Sequence, residues 1–240
     1  LNGILCIHGF TGSPKEVEPL VSFLKDETDW VVHAPILPGH GEKLSLRNVQ
    51  YMDWIRHAEE ELQKMMEQCD KIYVCGFSMG GLIGSLLATR YPVKKMILLS
   101  AAAYYTNPKH LYYEIRQMIT DGLRNSFRDN EIFQKYKRKL SSTPIRAYWE
   151  FRKLVQNVRP VLSNIDIPIL IVQGKQDPIV PVKSAHYLYG KIKTQEKQLM
   201  LIENANHHIC YSEEQNKIFN EILHFLEAPQ INKKIALTNN

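Results

Sequence analysis

A chain of 240 residues with 44% hydrophobic and 23% charged positions carries enough apolar side chain for one sizeable α/β domain with an insertion, the balance of an ordinary soluble globular protein. Its net charge of +5 is spread along the chain, with mild Lys/Arg clustering at 134 to 139 and no interleaving of arginine with aromatics, which argues against a nucleic-acid partner. No run of about 18 apolar residues and no basic, then apolar, leader is seen, and Cys6, Cys69, Cys75 and Cys210 lack C-x-x-C spacing, so no stable membrane insertion is expected and a cytoplasmic, reducing setting is.

Along the chain, apolar runs of strand length alternate with helical periodicity. Ile4 to His8 reads as a strand, 13 to 27 as a helix, Val31 to Pro35 as a strand and 51 to 68 as a helix. Ser13-Pro14-Lys15-Glu16 has the form of a capping box with proline at the first helical position. In the next helix Trp54, Ile55, Ala58, Leu62, Met65 and Met66 mark one apolar face, a core-packing pattern. Ile72 to Phe77 follows as a strand, 79 to 91 as a small-residue helix and Lys94 to Ser100 as a strand. Such βαβ alternation implies a mostly parallel sheet covered by helices on both faces.

After Ser100 the rhythm changes. Residues 101 to 164 contain no convincing strand, many aromatics (Tyr104, Tyr105, Tyr112, Tyr113, Phe127, Phe133, Tyr136, Tyr148, Trp149, Phe151) and helical spacing, and read as a helical insertion. From Pro168 the alternation resumes, with Ile169 to Val172 as a strand, 182 to 193 as a helix, Lys197 to Ile202 as a strand and 213 to 227 as a closing helix. The segment 228 to 240 lacks periodicity and reads as a frayed tail. The expected organisation is a core of 1–100 and 165–227, a cap of 101–164 and a tail of 228–240.

One pentapeptide points to chemistry. Gly76-Phe77-Ser78-Met79-Gly80 lies between the run Ile72-Tyr73-Val74-Cys75 and the helix that follows, the setting in which a sharp turn pushes a serine hydroxyl out of a sheet. Met79 then supplies an amide at a helix N-terminus, where backbone donors favour a developing oxyanion. Acyl transfer by serine also needs a base, a carboxylate to orient it and a second oxyanion donor. Asp177, in Gly174-Lys175-Gln176-Asp177-Pro178, follows the strand beginning at Ile169, and His207, in Glu203-Asn204-Ala205-Asn206-His207, follows the next one. The Phe10 amide, in His8-Gly9-Phe10-Thr11-Gly12 after the first strand, is the expected second donor.

Taken singly these residues have plainer readings. Asp177 before Pro178 suits a turn, His207 suits a core edge, and His8 beside Gly9 suits a loop-ordering role. Taken together, all the parts fall at strand ends in the order serine, acid, base. Asp166 precedes its strand and belongs at the opposite edge, and His40 in Pro38-Gly39-His40-Gly41 reads as structural. His207-His208 has no paired ligand spacing, so neither a metal nor a cofactor is expected.

These motifs resemble the α/β-hydrolase superfamily, and within it the small bacterial carboxylesterases and monoacylglycerol lipases of the thermostable bacillus type. The resemblance spans about residues 1 to 227 and rests on His8 to Gly12, His33-Ala34-Pro35 with Gly39-His40-Gly41, Gly76 to Gly81, Gln173 to Asp177 and Glu203 to Ile209. It implies an α/β-hydrolase fold, a mostly parallel sheet flanked by helices with a small helical cap insertion. It also implies Ser78, Asp177 and His207 as a catalytic triad, Phe10 and Met79 as oxyanion donors, and a short- to medium-chain ester or monoacylglycerol as the small-molecule substrate. The family usually has glycine before the catalytic histidine, where this chain has Asn206, and has strand residues upstream of His8 that are mostly missing here, so a sheet lacking an edge is expected. A thioesterase or amide hydrolase would use the same triad, and a hydrolase-fold binding protein would keep the pocket without turnover.

Overall fold

The alternating runs assemble into a single all-parallel sheet in the computed structural model, which describes residues 1–104 and 143–229. Among the described residues the strands are β1 (Asn2–Ile7), β2 (Val31–His33), β3 (Lys71–Phe77), β4 (Val93–Leu99), β5 (Ile169–Gly174) and β6 (Lys197–Ile202). They lie in the order β2-β1-β3-β4-β5-β6, each pair parallel. Because every strand runs the same way, the loops after β1, β3, β5 and β6 open at one edge, the edge where such sheets present their sites. Asp166, just before β5, stands at the opposite edge.

Side-chain alternation divides the core in two. Leu5, Ile7, Val74, Met96, Leu98 and Ile171 face the cluster that also holds α2 (Tyr51–Met66), α3 (Met79–Arg90), α4 (Ile145–Val158) and α5 (Val182–Lys191). Ile4, Cys6, Cys75, Ile97, Leu99 and Val172 face α1 (Glu18–Glu27) and α6 (Gln215–Glu227). This is the period-two consequence of a pleated strand with helices on both sides. In α2 the expected apolar face is buried at Trp54, Ile55, Ala58, Leu62 and Met65, with Met66 half-buried beside it. Helix α3 is buried from Met79 to Leu87, and its glycines let it lie close against the sheet. No helix among the described residues is long and apolar enough to cross a membrane.

Two local readings change. The helix expected from 13 to 27 is broken: Pro14–Glu16 form a 3-10 turn, and α1 begins at Glu18. The capping box at Ser13 does not form either. Ser13 makes no side-chain cap bond, because Glu16 turns inward and its Oε2 accepts the Gly9 amide at 2.8 Å. Satisfying a buried amide outweighs a part-exposed cap that water can replace. Lys95, inside β4, is equally non-local. Its buried Nζ donates to the Phe225 and Leu226 carbonyls at 2.6 and 3.0 Å and to that of Ala228, so a strand lysine satisfies the last carbonyls of α6. Of the expected cap, 105–142 lies outside the described residues, with Tyr105, Tyr112, Tyr113, Phe127, Phe133 and Tyr136; so does the tail from 230.

Candidate active site

Ser78 stands between β3 and α3 with φ 52° and ψ −113°, a conformation a non-glycine residue adopts only under constraint. The constraints are visible. Its amide donates to Leu99 O at 2.8 Å, and its carbonyl accepts from Gly81 N at 3.1 Å and Ala102 N at 3.3 Å. The flanking glycines are steric requirements: a Cβ at Gly76 would meet Gly80 O at 2.4 Å, and one at Gly80 would meet Ile7 O at 2.1 Å. Strand, turn and helix thus cross at a distance only hydrogen atoms permit. Met79 is the first residue of α3, where amides have no intrahelical partner and the helix dipole is positive.

Asp177 lies in the loop after β5 with its side chain 1% exposed, and His207 lies after β6 with its side chain 2% exposed. All four acceptor directions of the carboxylate are used. Oδ1 accepts the Ile179 and Val180 amides, each at 2.8 Å; Oδ2 accepts Gln173 Nε2 at 3.0 Å and His207 Nδ1 at 2.8 Å. A carboxylate oxygen can only accept, so the bonded nitrogen carries a proton, and in the tautomer this selects His207 Nε2 is the acceptor. That Nε2 is buried and without a hydrogen-bond partner among the described residues. The Phe77 ring packs on His207 at 4.9 Å, so the residue before Ser78 touches the imidazole. The structure therefore joins Asp177 to His207 and brings His207 against the residue before Ser78, but it does not close a hydrogen bond from the Ser78 hydroxyl to His207 Nε2; such contacts commonly tighten only with substrate bound.

The loop after β1 is held from several sides. His8 Nδ1 donates to Gly9 O at 2.9 Å while its Nε2 accepts the Leu37 amide at 3.1 Å, which makes His8 a neutral, loop-ordering ring. Gly12 N also donates to Gly9 O, at 3.2 Å, and Thr11 turns through φ 62°. The Phe10 ring, 4% exposed, stacks on Phe151 at 5.1 Å and 11° and meets Tyr148 and Trp54 edge-on. Helix α4 thus packs against the Phe10 side chain. His40 donates from Nδ1 to Pro38 O at 3.0 Å and packs against His8, Phe10 and Trp54, a scaffold role.

Two residues here take roles that their sequence patterns do not announce. Gln173, 1% exposed, spans Asp177 and the Val180 carbonyl (3.1 Å), so it fixes the acid from the strand side. Glu16, 6% exposed, lies beneath the first loop with Oε1 3.7 Å from His208 Nε2. Burial raises the Glu16 carboxyl, but its neighbours, His208 foremost and then His8 and the Gly9 amide, outweigh it and hold the group below its ordinary 4.5. Two buried thiols are poor nucleophiles: Cys75 is pushed up by its contact with Cys6 and by burial, Cys210 by burial. Among the described residues no group of three or more His, Cys, Asp or Glu is arranged to hold a metal ion.

Residues 2–215 match the sequence model of the family described as serine aminopeptidase, S33. The chain is 25% identical over 226 residues to a carboxylesterase of Bacillus subtilis, covering 93% of this chain and 92% of the relative. It is 26% identical over 232 residues to a thermostable monoacylglycerol lipase of Bacillus sp., covering 93% and 89%. Among solved structures, one from work on two metagenome-derived lipolytic enzymes, LipS and LipT, superposes with a TM-score of 0.77 at 22% identity over 94% of this chain and 93% of that one. The monoacylglycerol lipase of Paleococcus ferrophilus superposes at 0.71 with 17% identity over 93% of each chain. These two likenesses concern the fold.

Proposed function

From the premise that the chain belongs to the serine aminopeptidase S33 family of α/β-hydrolases and is a hydrolase of the carboxylesterase and monoacylglycerol lipase type, we propose that it cleaves short- to medium-chain acyl esters or monoacylglycerols through an acyl-enzyme on Ser78. The observation that carries this reading is the buried Asp177–His207 pair, poised with Nε2 as acceptor beside a serine held at φ 52°.

In this reading the Ser78 hydroxyl attacks the ester carbonyl carbon as His207 Nε2 takes its proton. Asp177 keeps the imidazole in the required tautomer and stabilises the imidazolium that forms. The carbonyl oxygen, now an oxyanion, is received by the Phe10 and Met79 amides. Collapse of the intermediate expels the alcohol with the proton returned from His207, and water, deprotonated by the same nitrogen, releases the acid. Tyr148 and Phe151 of α4, packed on the Phe10 ring, supply an aromatic surround for the acyl chain.

Amide hydrolysis is the second reading, favoured by the aminopeptidase description of the family, since the same atoms would perform it. Covalent labelling by a fluorophosphonate, lost in Ser78→Ala with the fold retained, separates an enzyme from a binding protein. A series of acetyl to octanoyl esters with matched thioesters and amides then separates substrates. A rise of up to about 0.8 kcal/mol per methylene is expected for the esters, and a flat profile refutes a lipid-like acyl group.

A further inference from the structure

We propose that Glu16 is a positioning residue for the oxyanion loop, acting on the Phe10 amide through Gly9. The inference rests on the reading of Ser78 and Phe10 given above. Glycine at position 9 leaves the backbone free to rotate just where a donor must be aimed, so the two peptide units that meet there have to be held from outside. The unit on the C-terminal side is held at Gly9 O by His8 Nδ1 at 2.9 Å and Gly12 N at 3.2 Å. A trans peptide then directs the Phe10 N–H away from that carbonyl. The unit on the N-terminal side is held at Gly9 N by Glu16 Oε2 at 2.8 Å. Without that bond the first unit can turn, and the second turns with it.

The placement of the carboxylate fits this task better than a role in its own turn. Ser13 makes no cap bond, and Glu16 is turned inward to 6% exposure, a costly position for a charge. The carboxylate fills the concave side of the loop so closely that a Cβ on Gly12 would stand 1.9 Å from Oε2. Its other oxygen lies 3.7 Å from His208 Nε2, an electrostatic contact longer than a hydrogen bond, and His208 is the neighbour of the proposed base. Tyr211 Oη reinforces the same link by donating to Lys15 O at 2.5 Å. One 3-10 turn thus ties the loop bearing the oxyanion donor to the loop bearing the base.

The test is steady-state kinetics of the full chain on p-nitrophenyl butyrate, with the rate of fluorophosphonate labelling as a second reading of the same atoms. Glu16→Ala is expected to lower kcat by about 10- to 100-fold with KM within about threefold, and to slow labelling in parallel. Glu16→Gln, whose amide oxygen still accepts the Gly9 N–H, recovers kcat to within about fivefold of wild type. Glu16→Asp keeps the charge but withdraws the oxygen, and so follows the alanine variant; it decides the matter if the alanine variant does not fold. Wild-type kcat in folded Glu16→Ala or Glu16→Asp, a loss expressed in KM alone, or a Glu16→Gln variant as slow as Glu16→Ala overturns the proposal. A wild-type chain that is not labelled at Ser78 overturns the reading beneath it, whereas a labelled wild type with unaffected Glu16 variants overturns only this inference.

Discussion

Replacing Asp177 by asparagine probes the proposed triad with almost no change in volume, and the hydrogen bonds fix what must happen. The asparagine oxygen has to stay on the Oδ1 side, because turning its NH2 there would oppose the Ile179 and Val180 amides, two backbone donors at 2.8 Å. The NH2 then replaces Oδ2, facing Gln173 Nε2 and His207 Nδ1, both donors to the carboxylate. Gln173 cannot relieve this by rotating its own amide, since its oxygen would then face the Val180 and Gly174 carbonyls. The imidazole relieves it by moving its proton from Nδ1 to Nε2, the nitrogen that must accept from Ser78. The wrong tautomer is expected to lower kcat by about 10⁴, or roughly 5.4 kcal/mol in the barrier. Loss of the charge-assisted bonds costs about 2 to 4 kcal/mol of stability. Kinetics on p-nitrophenyl butyrate, urea unfolding and 15N chemical shifts of the His207 ring measure the three quantities. A folded Asp177→Asn variant within tenfold of wild-type kcat, or one retaining the proton on Nδ1, refutes the reasoning.

The two adjacent histidines should separate cleanly: His207→Ala is expected to abolish ester hydrolysis, while His208→Ala, which removes the contact at 3.7 Å to Glu16 and the ring contacts with Phe77 and His207, keeps most of it, both remaining folded by circular dichroism. The opposite ranking would require the base to be His208. Gly80→Ala places a Cβ 2.1 Å from Ile7 O and is expected to cost about 3 kcal/mol or more by urea unfolding, so a neutral result would contradict the elbow packing. Glu16 is depressed below its ordinary 4.5, so its contribution to stability is present above that value and is lost as pH falls through the lower folded-state value. Melting temperatures taken from pH 6 to pH 3 should fall more steeply for wild type than for Glu16→Gln; parallel curves would show that the carboxylate gains nothing from its partners.

The sequence alone determined what short-range pattern can determine. Continuous apolar runs of strand length gave the strands, small residues after Ser78 gave a helix that lies flat on the sheet, and the spacing of turn residues placed Ser78, Asp177 and His207 at strand ends. The all-parallel sheet and α/β-hydrolase fold bear out the expected class, with boundaries displaced by a residue or two where strands gain or lose an end pair. Tertiary structure decided the partners. Glu16 reads locally as half of a capping box, yet the Gly9 amide and His208, distant in sequence, draw it inward. Gln173 is one more strand residue until the loop after β5 folds back over it, and Lys95 looks misplaced in β4 until the end of α6 arrives with three carbonyls. Periodicity reports which face of an element is apolar, because burial acts on each segment alike. Hydrogen bonds between distant segments depend on positions and angles set only when those segments meet, and the orientation of His207 by Asp177 is of that second kind.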